Sequence, residues 1–230
     1  MSLPPVTVPT GAIRYNTDSN KMECFNGTKW MQVAVSESAP IGARGIVGGG
    51  NGASNIIQYN TIATTGDAVD FGDLHVGVDW AGAVGSRTRG VWGGGRTPSN
   101  VDNLQYVTIA TQGNATDGGN LTSAKREMGG CGDQTRGCYG GETLGQSDDI
   151  DYITIASTGN AQDFGDLIGA TDCCGAAYSS PLRGVFINGG SPNNDMEYIT
   201  FATKGNGIDF GDATWNVYRA AGLSNAHGGL

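Results

Sequence analysis

Charge is scarce in this chain. Only 15% of its 230 residues are Asp, Glu, Lys or Arg, too few for a chain held unfolded by self-repulsion. Thirteen basic residues stand against twenty-two acidic ones, for a net charge of −9, and the basic ones do not cluster. Neither a nucleic-acid face nor a polybasic membrane patch is expected. No apolar run approaches the roughly 18 residues that a spanning helix needs, so membrane insertion is not expected. Residues 1–10, MSLPPVTVPT, lack a basic region followed by an apolar one, and secretion through a signal peptide is not expected. The two histidines, His75 and His227, have no recognisable nucleophile motif beside them, and neither G-x-S-x-G nor H-E-x-x-H occurs. The glycines at 48–50 and 93–95 are not followed by Gly-Lys-Ser/Thr, so they are not phosphate loops. Cysteine is odd in number: Cys24, Cys131, Cys138, Cys173 and Cys174, without a C-x-x-C. A disulfide framework is not expected. Cys131 and Cys138 lie symmetrically about Gln134-Thr135 and face each other in a hairpin, as buried thiols or as a cross-strand disulfide.

Glycine, in contrast, is abundant: 40 of 230 residues, without a collagen period. The glycines sit at fixed places in a fourfold repeat. Arg-Gly opens each copy at Arg44, Arg89, Arg136 and Arg183, and a strand-like Tyr-x-Thr follows at Tyr59, Tyr106, Tyr152 and Tyr198. Asp-Phe-Gly-Asp closes three copies, at 70–73, 163–166 and 209–212, while the second reads Asp117-Gly118-Gly119-Asn120. The step of about 46 residues is that of blade-type β repeats. In the third copy, strands are expected at 136–141, 150–156, 161–167 and 171–180, on alternation and flanking turn residues.

Four short strands per copy predict an all-β protein with a four-bladed β-propeller over 43–230. The order of strands resembles kelch-type blades. Gly94-Gly95, Gly140-Gly141 and Gly189-Gly190 match the double glycine of those repeats, and Tyr106, Tyr152 and Tyr198 match their tyrosine. Phe71, Phe164 and Phe210 stand where kelch blades carry an outer-strand tryptophan. Small-residue strands are expected near 78–86, 125–133, 171–180 and 218–226. The last is expected to complete the first blade and close the ring, or to be donated to a neighbouring subunit.

Residues 1–35 form an N-terminal arm and β segment, joined by a linker at 36–42. Within it, 11–33 reads GAIRYNTDSNKMECFNGTKWMQV: three short strands, with Asn26-Gly27 as a hairpin turn. Three strands of this size are marginal alone and are expected to lean on a neighbour or on sister copies. The pattern of Gly11, Ile13, Arg14, Tyr15, Asn16, Glu23, Phe25, Gly27 and Trp30 resembles a β segment of bacteriophage tail-fibre and other virion structural proteins. That resemblance implies a virion location, with release by host lysis. It also implies other virion proteins as partners, and a homo-oligomer, a trimer, assembled through Ile13, Tyr15, Phe25 and Trp30.

Sites are weighed against what every blade needs to fold. Asp-Phe-Gly-Asp offers carboxylates for calcium, but a feature repeated in most copies is expected to be a Phe core plug with Asp/Gly turn chemistry. The four repeated arginines either hold an anion in a central channel or each pair with an Asp or a backbone carbonyl of the next blade; the second is favoured. The aromatics that differ between copies, Trp80, Trp92, Tyr139, Tyr178, Phe186 and Trp215, are the candidates for contact with a host surface glycan or protein. No catalytic residue, metal or cofactor is expected. The reading is a tailed-phage fibre or appendage subunit. The alternatives are a shell-decorating or free carbohydrate- or protein-binding propeller and, third, a glycan-cleaving tailspike.

Overall fold

The computed structural model describes residues 8–17, 21–33, 44–142, 147–169, 174–189, 194–217 and 220–224, with the backbone alone at 174–175. The chain divides into two compact units, Met1–Ile41 and Gly42–Leu230. The described residues form no helix. They form eighteen strands in five small antiparallel sheets.

The first unit is a three-stranded sheet of β1 (Ile13–Asn16), β2 (Lys21–Phe25) and β3 (Trp30–Gln32), in that order. Its second turn follows from Asn26-Gly27. The Asn26 side-chain oxygen accepts the amides of Thr28 and Lys29, both at 2.9 Å, and Gly27 takes a φ of 95° that other residues resist. The register places Ile13, Cys24 and Met31 side by side, and Tyr15 beside Met22. Since side chains alternate along a strand, these residues share one apolar face. The other face is polar and aromatic: Arg14 bonds Glu23 at 2.7 Å and lies 4.2 Å over the Trp30 ring, which packs on Phe25.

The second unit holds the four copies, each as its own sheet. Repeat 1 is β4 (Arg44–Gly48), β5 (Ile56–Thr61) and β6 (Val69–Asp73). Repeat 2 is β7 (Gly82–Gly85), β8 (Arg89–Gly93), β9 (Asn103–Thr108) and β10 (Thr116–Asn120). Repeat 3 is β11 (Gly129–Gly132), β12 (Arg136–Gly140), β13 (Asp149–Thr154) and β14 (Gln162–Asp166). Repeat 4 is β15 (Cys174–Ser179), β16 (Arg183–Asn188), β17 (Asp195–Thr200) and β18 (Ile208–Asp212). Each sheet is a meander in chain order.

Face-to-face packing of consecutive sheets creates three hydrophobic cores, one per junction. Each is keyed by a large ring on a glycine. A Cβ at Gly48 would lie 3.0 Å from the Trp92 ring; at Gly93, 3.0 Å from Tyr139; at Gly140, 2.9 Å from Phe186. The outer strands are tied as well. Gly113 and Ala115 donate to the Phe71 and Asp73 carbonyls at 2.8 and 2.7 Å, and the next two junctions repeat this through Gly159 and Ala161 and through Gly205 and Gly207. The Gly72 Cα approaches the Gly113 peptide so closely that a Cβ would sit 2.5 Å from it.

The expected inner strands appear as β7, β11 and β15. Of the predicted closing strand, residues 220–224 are described, and they lie against β15: the Ser224 hydroxyl donates to the Ser179 carbonyl at 2.6 Å. Among the described residues no strand pairs with the outer edge of β4. Val47, at the repeat 1 position of those keying rings, is 64% exposed. The linker at 36–42, Gly190, Cys173 and His227 lie outside the described residues.

Candidate functional site

The structure sorts the six candidate aromatics into two groups. Trp92, Tyr139 and Phe186 are buried in the junctions, each as the ring that fills the space above the preceding repeat's glycine. This corrects their assignment as contact residues, because a side chain sealed between two sheets offers no surface to a ligand. The Tyr139 hydroxyl is spent on the Val91 carbonyl at 3.2 Å, and burial pushes its ionisation well above the usual phenol range. Trp80, Tyr178 and Trp215 remain accessible, with Trp80 44% and Trp215 66% exposed.

Trp80 is the most elaborated of these. Its φ is 57°, a left-handed conformation that costs a bulky residue on the order of 1 kcal/mol or more. Two guanidiniums hold its ring, Arg96 at 4.0 Å and Arg126 at 4.8 Å from the centroid. Buried Asp79 in turn grips Arg96 through both carboxylate oxygens, at 3.2 and 2.9 Å. The strain recurs one repeat later: Glu127 has a φ of 55° and donates its amide to the Trp80 carbonyl at 2.9 Å. Behind this corner, Lys125 is fully buried, with its ammonium 3.2 Å from Asp151 and 3.6 Å from Asp149. Asp151 also accepts the Thr122 hydroxyl at 2.5 Å. Glu142 accepts from Asn100 at 3.0 Å, and burial raises its carboxyl despite the Lys125 charge. The result is a fixed, exposed indole edge on a charged loop, suited to contact rather than to bond-making.

Tyr178 lines a groove of about 290 Å³ between β7, β11, β15 and residues 220–224, with small residues such as Ala83, Gly130 and Ala177 forming most of its wall. Asp148, Asp149 and Asp166 bring carboxylate oxygens within 4.8 Å of one another. Lys125 and Asn206 already serve two of the three, Asn206 at 3.4 Å from Asp166.

The repeated motifs have structural work. Phe71 and Phe164 are buried edge-on to Tyr59 and Tyr152. The first Asp of the motif accepts the bulge glycine's amide, Asp163 from Gly165 at 3.1 Å and Asp209 from Gly211 at 2.8 Å. The arginines reach carbonyls of the next sheet: Arg44 to Ile109 at 2.8 Å, Arg89 to Ile155 and Ser157 at 3.0 Å, and Arg136 to Phe201. Each also stacks over its own repeat's tyrosine. Cys131 and Cys138 stand directly opposite each other as buried thiols not joined in a disulfide, and burial raises the Cys138 thiol to about 12.

In the N-terminal sheet the four predicted assembly residues divide by face. Ile13 and Tyr15 lie on the exposed apolar face, together with Met22 and Met31. Phe25 and Trp30 are half-buried on the opposite face. Sequence reasoning missed the buried Lys125–Asp151 pair. Its signal was available: Lys125 falls 47 residues after Val78, and the carbonyl of each accepts a glycine amide, from Gly95 at 2.8 Å and from Gly50 at 2.9 Å.

No known protein family's sequence pattern matches the chain, and no curated protein matches it in sequence.

Proposed function

We propose that this chain is a structural subunit of a tailed-phage particle, a fibre or surface-appendage protein without catalytic activity, whose four sheets are blades of a kelch-like propeller. The observation that carries this reading is the N-terminal sheet. Ile13, Tyr15, Met22 and Met31 form an exposed apolar face on a sheet of only three short strands, which is of marginal stability alone. Exposed apolar patches of this kind mark association surfaces. The same stretch carries the likeness to virion structural proteins. The occupant is the same face of sister copies, giving a homo-oligomer, a trimer, held to other virion proteins. The repeats face outward, where Trp80 and Trp215 meet a host surface glycan or protein. Their exposure also favours a second reading, a carbohydrate- or protein-binding module that decorates a shell or acts free of one.

The test is particle composition. Antibody or mass-spectrometric detection of the chain in purified, salt-washed particles at fixed stoichiometry is the expected result. Recovery only in the soluble lysate fraction favours the free binding module. Release of reducing ends from host polysaccharide by the purified chain overturns the non-catalytic reading in favour of a tailspike.

A further inference from the structure

The three junctions inside the second unit share one set of contacts, and its two open faces carry the separate halves of a fourth. In each junction an arginine of one repeat bonds the carbonyl three residues past the next repeat's tyrosine: Arg44 to Ile109, Arg89 to Ile155, Arg136 to Phe201. Arg183 is the same residue in repeat 4, exposed, with only its own Tyr198 ring 4.4 Å beneath it. The matching carbonyl in repeat 1 belongs to exposed Ile62. The outer strands agree. Phe210, counterpart of buried Phe71 and Phe164, is 48% exposed, and no atom of the described residues lies within 4 Å of where a Cβ on Gly211 would point. At the other three such glycines the next repeat's turn fills that space.

Two side-chain exchanges show that these faces suit each other. Inside the chain a large ring sits on a glycine: Trp92 on Gly48, Tyr139 on Gly93, Phe186 on Gly140. At the open ends the corresponding residues are Val47 and Ile187, so the ring shrinks where the glycine grows, and the combined bulk is kept. Inside the chain, Val84 packs against Ile153 and Cys131 against Ile199. The corresponding end residues, by strand register, are Tyr178 and Asn60, a hydroxyl facing an amide in place of two apolar groups.

The inner strand completes the match. Among the described residues repeat 1 alone has three strands. Residues 220–224 stand beside β15 as β15 stands beside β11: Ser224 donates to the Ser179 carbonyl at 2.6 Å, as Ser179 donates to that of Gly132 at 2.8 Å. They therefore hold the inner-strand place of a sheet stacked after repeat 4. Leu223, counterpart of buried Val84 and Cys131, is 90% exposed there.

We propose that repeat 4 of one copy receives repeat 1 of a second copy, head to tail, with residues 220–224 of the first pairing with β4 of the second. The register of the internal sheets, Val84 opposite Val91 and Cys131 opposite Cys138, sets Leu223 opposite Ile46. A second copy is the occupant because the described residues of one chain leave both faces open. The propeller arc is then completed between chains.

Two pools of full-length protein test this, one carrying Ile46→Cys with a heavy-isotope label and one carrying Leu223→Cys without it, mixed and oxidised. Both are made in a Tyr15→Lys background, so that association through the N-terminal sheet does not contribute. The expected result is a covalent heterodimer whose 46–223 disulfide peptide joins a heavy and a light half, absent from either pool alone. Two results overturn the proposal. One is a 46–223 bond that forms only when both substitutions are in one chain, which means the ring closes on itself. The other is no such bond in any mixture. As a second readout, Leu223→Asp alters only an exposed side chain and should abolish concentration-dependent association of the Tyr15→Lys protein in sedimentation velocity. Unchanged association also overturns the proposal.

Discussion

The N-terminal sheet and the repeat sheets are built from the same short antiparallel hairpins, yet they present opposite surfaces. In the repeats, apolar faces meet face to face, and rings such as Tyr139 and Phe186 are wholly buried. In the N-terminal sheet the side chains of the apolar face, Ile13 and Tyr15 among them, are exposed. A short sheet becomes stable by gaining a layer. The repeats supply that layer to one another along the chain; in the function proposed above, sister copies supply it to the N-terminal sheet. Mutations should separate the two regions by what they damage, stability or association.

The largest effect is expected at Tyr139. Tyr139→Ala empties the ring space above Gly93 and leaves the Val91 carbonyl without its donor, costing about 3–5 kcal/mol, read as a lower midpoint in urea. Ile13→Ala should leave the same midpoint unchanged within about 0.5 kcal/mol. A substantial loss at Ile13 would mean that its face is buried within the chain and that the contrast is wrong.

A smaller effect distinguishes junctions from ends within the repeats. Arg89→Ala removes two carbonyl bonds to repeat 3 and the stacking on Tyr106. Because the guanidinium is partly solvated, the expected cost is about 1.5 kcal/mol. Arg183→Ala, the same residue at the open end, should cost under about 0.5 kcal/mol in dilute protein. Equal costs would mean that Arg183 is already engaged within its own chain.

The smallest effect is a change in pH dependence. Burial raises the Glu197 carboxyl above its ordinary 4.5, against the bonds it accepts from Ile168 and Asn188. The folded state thus holds this proton more tightly than the unfolded one. Below 4.5 both states are protonated and the burial costs nothing; stability then falls as pH rises from 4.5 through the folded-state value. Repeat 2 carries Gln105 at the equivalent place, bonding Val76 in repeat 1 through both its amide groups. Glu197→Gln should therefore flatten the stability profile above pH 4.5. A profile identical to that of the wild type would remove Glu197 as its source.

Much of this was legible in the sequence, and the exceptions have a common cause. The period, the strand order, the turn at Asn26-Gly27 and the structural roles of the repeated arginines and of Asp-Phe-Gly-Asp all rest on local chemistry, and local chemistry repeats visibly. Trp92, Tyr139 and Phe186 were misassigned because their identities differ between copies, which looked like freedom to bind. They occupy one column, three residues after the repeated arginine, and any large ring fills that space. What the repeats do at their ends was not legible, because the angle between consecutive sheets is set by packing across the junction and not by any one residue.

The most direct test of the contrast is the solution mass of the full chain beside Ile13→Lys/Tyr15→Lys, by light scattering over a range of concentrations, with circular dichroism on the same samples. The account predicts an oligomeric wild type and a variant of lower mass with an unchanged β spectrum and urea midpoint. A variant that keeps the full wild-type mass, or a wild type that is monomeric throughout, would contradict it.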